Sequence, residues 1–361
     1  RAADEPCAAE AASSAEAAPD PADPADPTDP APASGVSADR GRVTRGLLGA
    51  VELRDPDDGV ILPHENTMAG PVADRLALMD ATDANLEPIY LVYDGGGAAS
   101  RAVASVEALP LLADATTPDG IRHRLWAITD PATLADVAAD LNDRTAMIAD
   151  GHHRYATYRQ LAHQRGGSNG PGPWDRGLAL LVDGSAYGPQ VHSIHRVVPG
   201  LGLPTAIDAA RATFRVQAAD SLDGALGWLE QGADTGFGAV VTDGARAVTL
   251  SHPDPAALTA ARRPGEPTSL LDLDVTVLHR VLVQSAWGLT DDEHHVGYAH
   301  NVAEALGAAV RSGGVAVLLR PTPVAAVAAV AAAGARMPRK STFFTPKPAS
   351  GLVMRRFADQ R

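Results

Sequence analysis

The stretch "TAMIADGHHRYATYRQL", Thr145 to Leu161, is the tightest constraint on what this chain can fold into. A short apolar run of strand length ends in Asp150 and Gly151, and a helix-like pattern follows to about Arg165. A buried strand that feeds a helix through one glycine needs layered α and β structure to cover both. The first turn of such a helix presents unpaired N–H groups and the positive end of its dipole, so it suits an anion. Gly151 would let a ligand approach the backbone, and His152, His153 and Arg154 add donors and charge. Phosphate fits that set best. Asp150 repels phosphate, so its chemistry points to Mg²⁺ or to a substrate hydroxyl. The plainer reading makes Asp150 an N-cap and the histidines ordinary polar residues.

Two further clusters carry chemistry. In "LPHENTMAGPVADR", His64, Glu65 and Asn66 follow a short apolar strand, and a carboxylate beside a histidine at a strand end is a general-base candidate if burial lifts its pKa. A solvated loop carboxylate is the alternative. The second cluster emerges from composition: of 30 Lys and Arg residues only Lys340 and Lys347 are lysine, and both lie in "MPRKSTFFTPK". Where arginine fills the general surface-cation role, a compact ammonium stands out. Lys340, Ser341, Thr342 and Lys347 surround Phe343 and Phe344, a set suited to phosphate or carboxylate, or else a loop at the core edge with stray cations. His192 and His195 are three apart in a strand-like run and should face opposite ways, which makes a joint metal site poor. His279 reads as a core histidine, and His294 with His295 as structural or exposed.

Residues 1–38 are rich in Ala, Pro and Asp without an apolar period, and read as a disordered tail. From 39 to 200 strands and helices alternate. Within this part Val72, Leu76, Leu78 and Met79 supply a helical face, Asp130 is the expected N-cap of a helix with Pro131 in its first turn, and "DGGGAAS" reads as a turn. A second αβ pattern fills 201–321, and 322–361 is expected to return to the first part as a helix, a loop through the lysines and a strand.

The net charge of −14 leaves no global basic footprint for nucleic acid. The single cysteine, Cys7, excludes a disulfide framework and a cysteine zinc site. No apolar run of transmembrane length or signal-peptide pattern is present, so no membrane association and a cytoplasmic location are expected. The chain starts at Arg1 rather than Met, which leaves room for a longer natural N-terminus. A P-loop is excluded because neither lysine follows glycine, and the protein-kinase set and the G-x-S-x-G elbow are missing as well.

"VILPHENTMAGPVADRLALMDATDANLEPIYLVYD", "MIADGHHRYATYRQL", "DVTVLHRVL" and "MPRKSTFFTPKPASGLV" resemble, in that order, the bacterial domain-of-unknown-function family numbered ten-fifteen, from about Arg42 to Phe357. "DGHHR" also resembles the turn with which the ParB and sulfiredoxin superfamily cradles nucleotide phosphates, a superfamily that includes free serine kinases. The resemblance implies an α/β fold with a ParB/sulfiredoxin-like mixed-sheet core and a second αβ lobe. It implies a small-molecule kinase that moves a phosphoryl group from ATP or ADP to free L-serine or a similar metabolite, with Mg²⁺ and with homodimerisation allowed. Carried over by position, Glu65 takes the hydroxyl proton, and Asp150 stands at the reacting hydroxyl and metal with His153 beside it. Gly151, His152 and Arg154 bind phosphate together with Lys340, Ser341, Thr342 and Lys347, while His64 and Asn66 meet the substrate. Family members carry a longer segment, with a Pro-Pro-Tyr-Asp-Val-like run, where this chain has its tail. If that segment completes the sheet, this chain would be a fragment or inactive. Two rivals stand beside the kinase: a ParB-like nucleotide-binding or hydrolysing switch, and a metal hydrolase built on His64, His152 and His153.

Overall fold

The computed structural model describes residues 43–118, 120–232 and 236–360, so the expected tail and Cys7 lie outside the described residues. The first sheet has five strands in the order Gly46–Glu52, Arg176–Asp183, Ile89–Tyr93, Ala146–Asp150 and Ile61–Leu62. Ile89–Tyr93 runs parallel to Arg176–Asp183 and antiparallel to Ala146–Asp150, so the sheet is mixed. The edge strand Ile61–Leu62 is parallel to Ala146–Asp150, with Leu62 opposite Met147. Both chains therefore leave the sheet at the same end. Three residues beyond that paired position lie Glu65 on one chain and Asp150 on the other.

The two-residue side-chain period of these strands divides the core. Ile89, Leu91, Tyr93, Ala146 and Ile148 join Met79, Tyr155, Tyr158 and Leu161 of the helices Ala69–Thr82 and His152–Asn169. Tyr90, Val92, Met147 and Ala149 face the other way, into a larger cluster shared with the second sheet. Burial of both faces explains why these strands read as unbroken apolar runs rather than as alternating ones. In the helix Ala69–Thr82, Val72, Leu76 and Met79 fall on one face, whereas Leu78 lies a third of a turn away and is 50% exposed. Asp130 caps Pro131–Asn142 as expected, accepting from the Thr133 N–H at 2.8 Å.

The second sheet has six strands, in the order Arg215–Ala218, Ala247–Ser251, Gly238–Thr242, Val315–Leu319, His195–Val198 and Gly297–Ala299. Its strand His195–Val198 comes from before residue 201, because "VHSIHRVV" breaks into two strands that serve different sheets. Gln190–His192 instead pairs with Phe343–Thr345, a strand formed within the expected lysine loop. "DGGGAAS" is more than a turn, since Gly96 caps a helix, Gly97–Ser105. The apolar helix that begins at Asp274 widens to π geometry over Leu278–Ala286. An α/β protein with a mixed sheet and a second αβ layer is what the chain builds.

Candidate active site

The common exit of the two parallel strands is where the sequence clusters meet. Gly151 has φ 95°, a conformation that favours glycine, and an added Cβ would also press on the Arg154 guanidinium, 3.0 Å from Nε. It starts the helix His152–Asn169 with no side-chain cap. The two histidines that follow turn inward. His152 is buried and its Nε2 accepts the His64 N–H at 3.3 Å, while His153 Nε2 accepts the Met68 N–H at 3.1 Å. Both were expected to work on a ligand, His152 at the phosphate and His153 in catalysis. Their Nε2 atoms instead fasten the 64–68 segment onto the first turn of the helix. His152 can accept because burial, with His64, His153 and Arg336 nearby, holds its pKa well below the usual value and keeps the ring neutral.

Arg154 also differs from its expected role of reaching out to phosphate. Its guanidinium donates to Asp150 Oδ2 and, at 2.7 Å, to the Pro88 carbonyl, and it lies 3.2 Å from Glu87 Oε2. The other Asp150 oxygen, Oδ1, is 3.3 Å from Lys347 Nζ. Burial would push the Asp150 pKa up, but Arg154, Lys347 and Arg75 together hold it below the usual carboxylate value. With both oxygens facing cations, and with no group of three metal-ligating side chains among the described residues, this donor set does not fit a resident Mg²⁺.

The lysine segment reaches the same place through the core. The Met337 N–H donates to the His64 carbonyl at 2.8 Å, and Phe344 is buried with its ring 5.8 Å from that of His64. The Thr342 hydroxyl stands between two consecutive residues, donating to Glu65 Oε1 at 3.2 Å and meeting His64 Nε2 at 3.0 Å. The hydroxyl has one proton for its two contacts, and the role of His64 Nε2 follows from the ring's tautomer. Thr342, expected at a phosphate, is thus a bridge within the site. Ser341 is buried, and its hydroxyl donates to the Pro338 carbonyl at 2.5 Å.

The half-buried Glu65 carboxylate has its pKa raised, first by burial and then by Asp150. The Thr342 hydroxyl, Lys340 and the Ser341 N–H oppose that rise. His64 is lowered to about 4, chiefly by burial. A carboxylate raised toward neutrality beside a neutral imidazole can accept a proton from a hydroxyl. Lys347 Nζ also lies 5.7 Å from the centre of the Phe343 ring, which the His300 and His192 rings approach to 5.1 and 6.0 Å.

Asn66, expected at the substrate, lines a cavity of about 410 Å³ with Arg263, Arg336 and Arg339 on its walls. Sequence reasoning missed Arg336 and His300. Arg336 stands directly before the "MP" of the lysine motif, and "AHN" precedes a helix whose N-cap, Asn301, accepts from the Glu304 N–H. The remaining histidines sit as expected: His195 is buried and accepts the Leu319 N–H, and His279 is buried between Arg196 and Asp291. Nε2 of His64, His152 and His153 is in each case engaged within the protein, so a metal shared by the three could not be held through those nitrogens.

Among the described residues no helix is long and apolar enough to cross a membrane. No curated protein matches the sequence. Solved structures that resemble the fold include a free serine kinase in complex with AMP, 13% identical with a TM-score of 0.42 over 89% of this chain and 95% of that one. SbnI with a C-terminal truncation, from Staphylococcus aureus, is 12% identical with a TM-score of 0.43 over 85% and 87% of the two chains. A conserved hypothetical protein from Pyrococcus furiosus is 13% identical with a TM-score of 0.40 over 89% and 98%. These are likenesses of outline and decide nothing about function. The family match is firmer, although it ends before the lysine segment: over residues 34–276, the chain belongs to the family described as Protein of unknown function (DUF1015).

Proposed function

We propose that the protein is a small-molecule kinase that transfers the terminal phosphoryl group of ATP or ADP to the hydroxyl of free L-serine or a similar metabolite. The observation that carries this reading is the Glu65–Thr342–His64 bridge beside the Gly151 turn. It puts a proton acceptor of raised pKa next to a helix start whose first N–H groups suit phosphate. In the proposed step the acceptor oxygen attacks the terminal phosphorus and its proton passes to a Glu65 oxygen. The bond from phosphorus to the bridging oxygen breaks, and the nucleotide leaves with that electron pair. Lys347 and Lys340 offset charge on the phosphoryl oxygens, and the turn from Gly151 to Arg154 positions them. His152, His153 and Arg154 serve by holding the turn and the Glu65 segment in register. Mg²⁺ arriving with the nucleotide would supply further charge neutralisation on the phosphates. In this reading the nucleotide-binding core is the part expected over 39–200, less the strand His195–Val198 that joins the second sheet, and 201–321 is the second lobe.

The test is incubation of the purified protein with ATP or ADP, Mg²⁺ and L-serine or other hydroxyl metabolites, read by mass spectrometry. Phosphorylated acceptor is expected. Nucleotide binding or hydrolysis with no phosphorylated acceptor would favour a ParB-like switch instead.

A further inference from the structure

We infer that the cavity beside Asn66 is the acceptor subsite and that it takes a small hydroxy acid, with the acid group held by Arg336 and Arg263. The inference rests on the kinase reading for the hydroxyl, and on the cavity's own charge for the acid. At about 410 Å³ the cavity holds a metabolite, not a macromolecular segment. Both of its carboxylates have hydrogen-bond partners. Both oxygens of Glu266 accept from Arg280, at 2.6 and 3.0 Å, and Asp291 Oδ1 lies 2.8 Å from His279 Nδ1. Arg339 is 3.2 Å from Glu293. Arg336 and Arg263 have no carboxylate within ion-pair distance among the described residues, and with four arginines against Glu266 and Asp291 the lining is net positive. Arg336 gives one nitrogen to the Gly334 and Ala335 carbonyls, at 3.2 and 3.1 Å, which fixes the guanidinium while leaving donors over. A half-buried guanidinium with spare donors suits a carboxylate through paired N–H bonds.

Glu65 does not itself line the cavity, but Arg336 on its wall lies near enough to His64 to lower that histidine's pKa. Asn66 follows Glu65 in the chain, and the residue after Arg336, Met337, is bonded to the His64 carbonyl at 2.8 Å. In the proposal a short acid bound at Arg336 extends from this wall so that its hydroxyl reaches Glu65. Nothing in this placement requires an amino group, so the class is hydroxy acid rather than amino acid alone.

The test is calorimetric binding, in the presence of ADP and a chelator that withholds metal so that no transfer occurs, of four probes: L-serine, glycerate, and their neutral counterparts serinol and glycerol. Wild type, Arg336→Gln and the exposed Arg263→Gln are compared, with melting temperatures as the control on folding. The acids are expected to bind at least tenfold more tightly than the neutral compounds, and each substitution should weaken acids alone while leaving ADP affinity unchanged. Equal binding of acids and neutral compounds, or acid affinity untouched in folded Arg336→Gln and Arg263→Gln, would overturn the assignment. Acid binding that depends on these arginines without any phosphorylated product when Mg²⁺ is restored would support the subsite and remove the kinase reading. Phosphorylation of neutral alcohols as fast as acids would do the reverse.

Discussion

The Thr342 hydroxyl lies 3.0 Å from His64 Nε2 and 3.2 Å from Glu65 Oε1, so one side chain from near the C-terminus ties together two consecutive residues at the exit of an edge strand. The edge strand pairs over only two residues, and its continuation would otherwise be a free loop. Thr342 and the Met337 bond to the His64 carbonyl make it a fixed segment, and with it the proposed base.

Thr342→Val keeps the shape and removes the hydroxyl. The Thr342 bond lowers the Glu65 pKa, so its loss should raise that pKa further. Glu65 must be ionised to accept a proton, so the acid limb of the pH–rate profile should move to higher pH. An unmoved limb in a folded variant would separate Thr342 from the base.

Arg154→Ala should cost stability as well as nucleotide affinity. The guanidinium is only 11% exposed and meets Asp150, Glu87 and the Pro88 carbonyl. Losing charge-assisted hydrogen bonds there should cost about 1.5–3 kcal/mol in urea unfolding. A variant as stable as wild type would mean that these contacts contribute nothing in solution.

Lys347→Arg should leave the fold unchanged and still weaken nucleotide binding. The ammonium fits as a compact charge between Asp150 and the Phe343 ring, where a wide planar fork would have to sit differently. Full affinity in the variant would return Lys347 to the role of a surface cation.

Stability should fall as pH drops from about 6.5 to about 4. His64 and His195 are both lowered from 6.5 to about 4 by burial, and His152 is lowered too. The unfolded chain therefore binds protons in that window that the folded one refuses. Glu65 works the other way: its raised pKa favours the fold below the unfolded value of 4.5 and costs stability as pH rises through the folded value. Three histidines outweigh one carboxylate. Urea midpoints across this range check the sign, and a flat profile would contradict it.

The turn, its glycine and the strands around it were legible because local rules decide them: an apolar run of strand length, a break, a helical pattern. The same rules place the Asp130 cap. Side-chain direction was not legible. The "HHR" run looks like a set of ligand donors, yet each of the three side chains is engaged by a segment distant in sequence, namely His64, Met68 and Pro88. Phe343–Thr345 was hidden as well, since a three-residue strand is formed by its partner, Gln190–His192, rather than by its own propensity. Arg336 lies four residues before Lys340 but carries no local signal to set it apart from the other arginines, and only the fold brings His300 beside the "KST" segment.

The most direct test of the central claim is turnover of Glu65→Gln at saturating nucleotide and acceptor, beside wild type. Glutamine keeps the size and can still accept from Thr342, but it cannot take up the hydroxyl proton. Removing the charge from a site where burial disfavours it should leave the variant at least as stable as wild type at neutral pH. Phosphorylated acceptor should form about 10² to 10⁴ times more slowly with nucleotide affinity little changed. Turnover close to that of wild type in a folded Glu65→Gln would contradict the account.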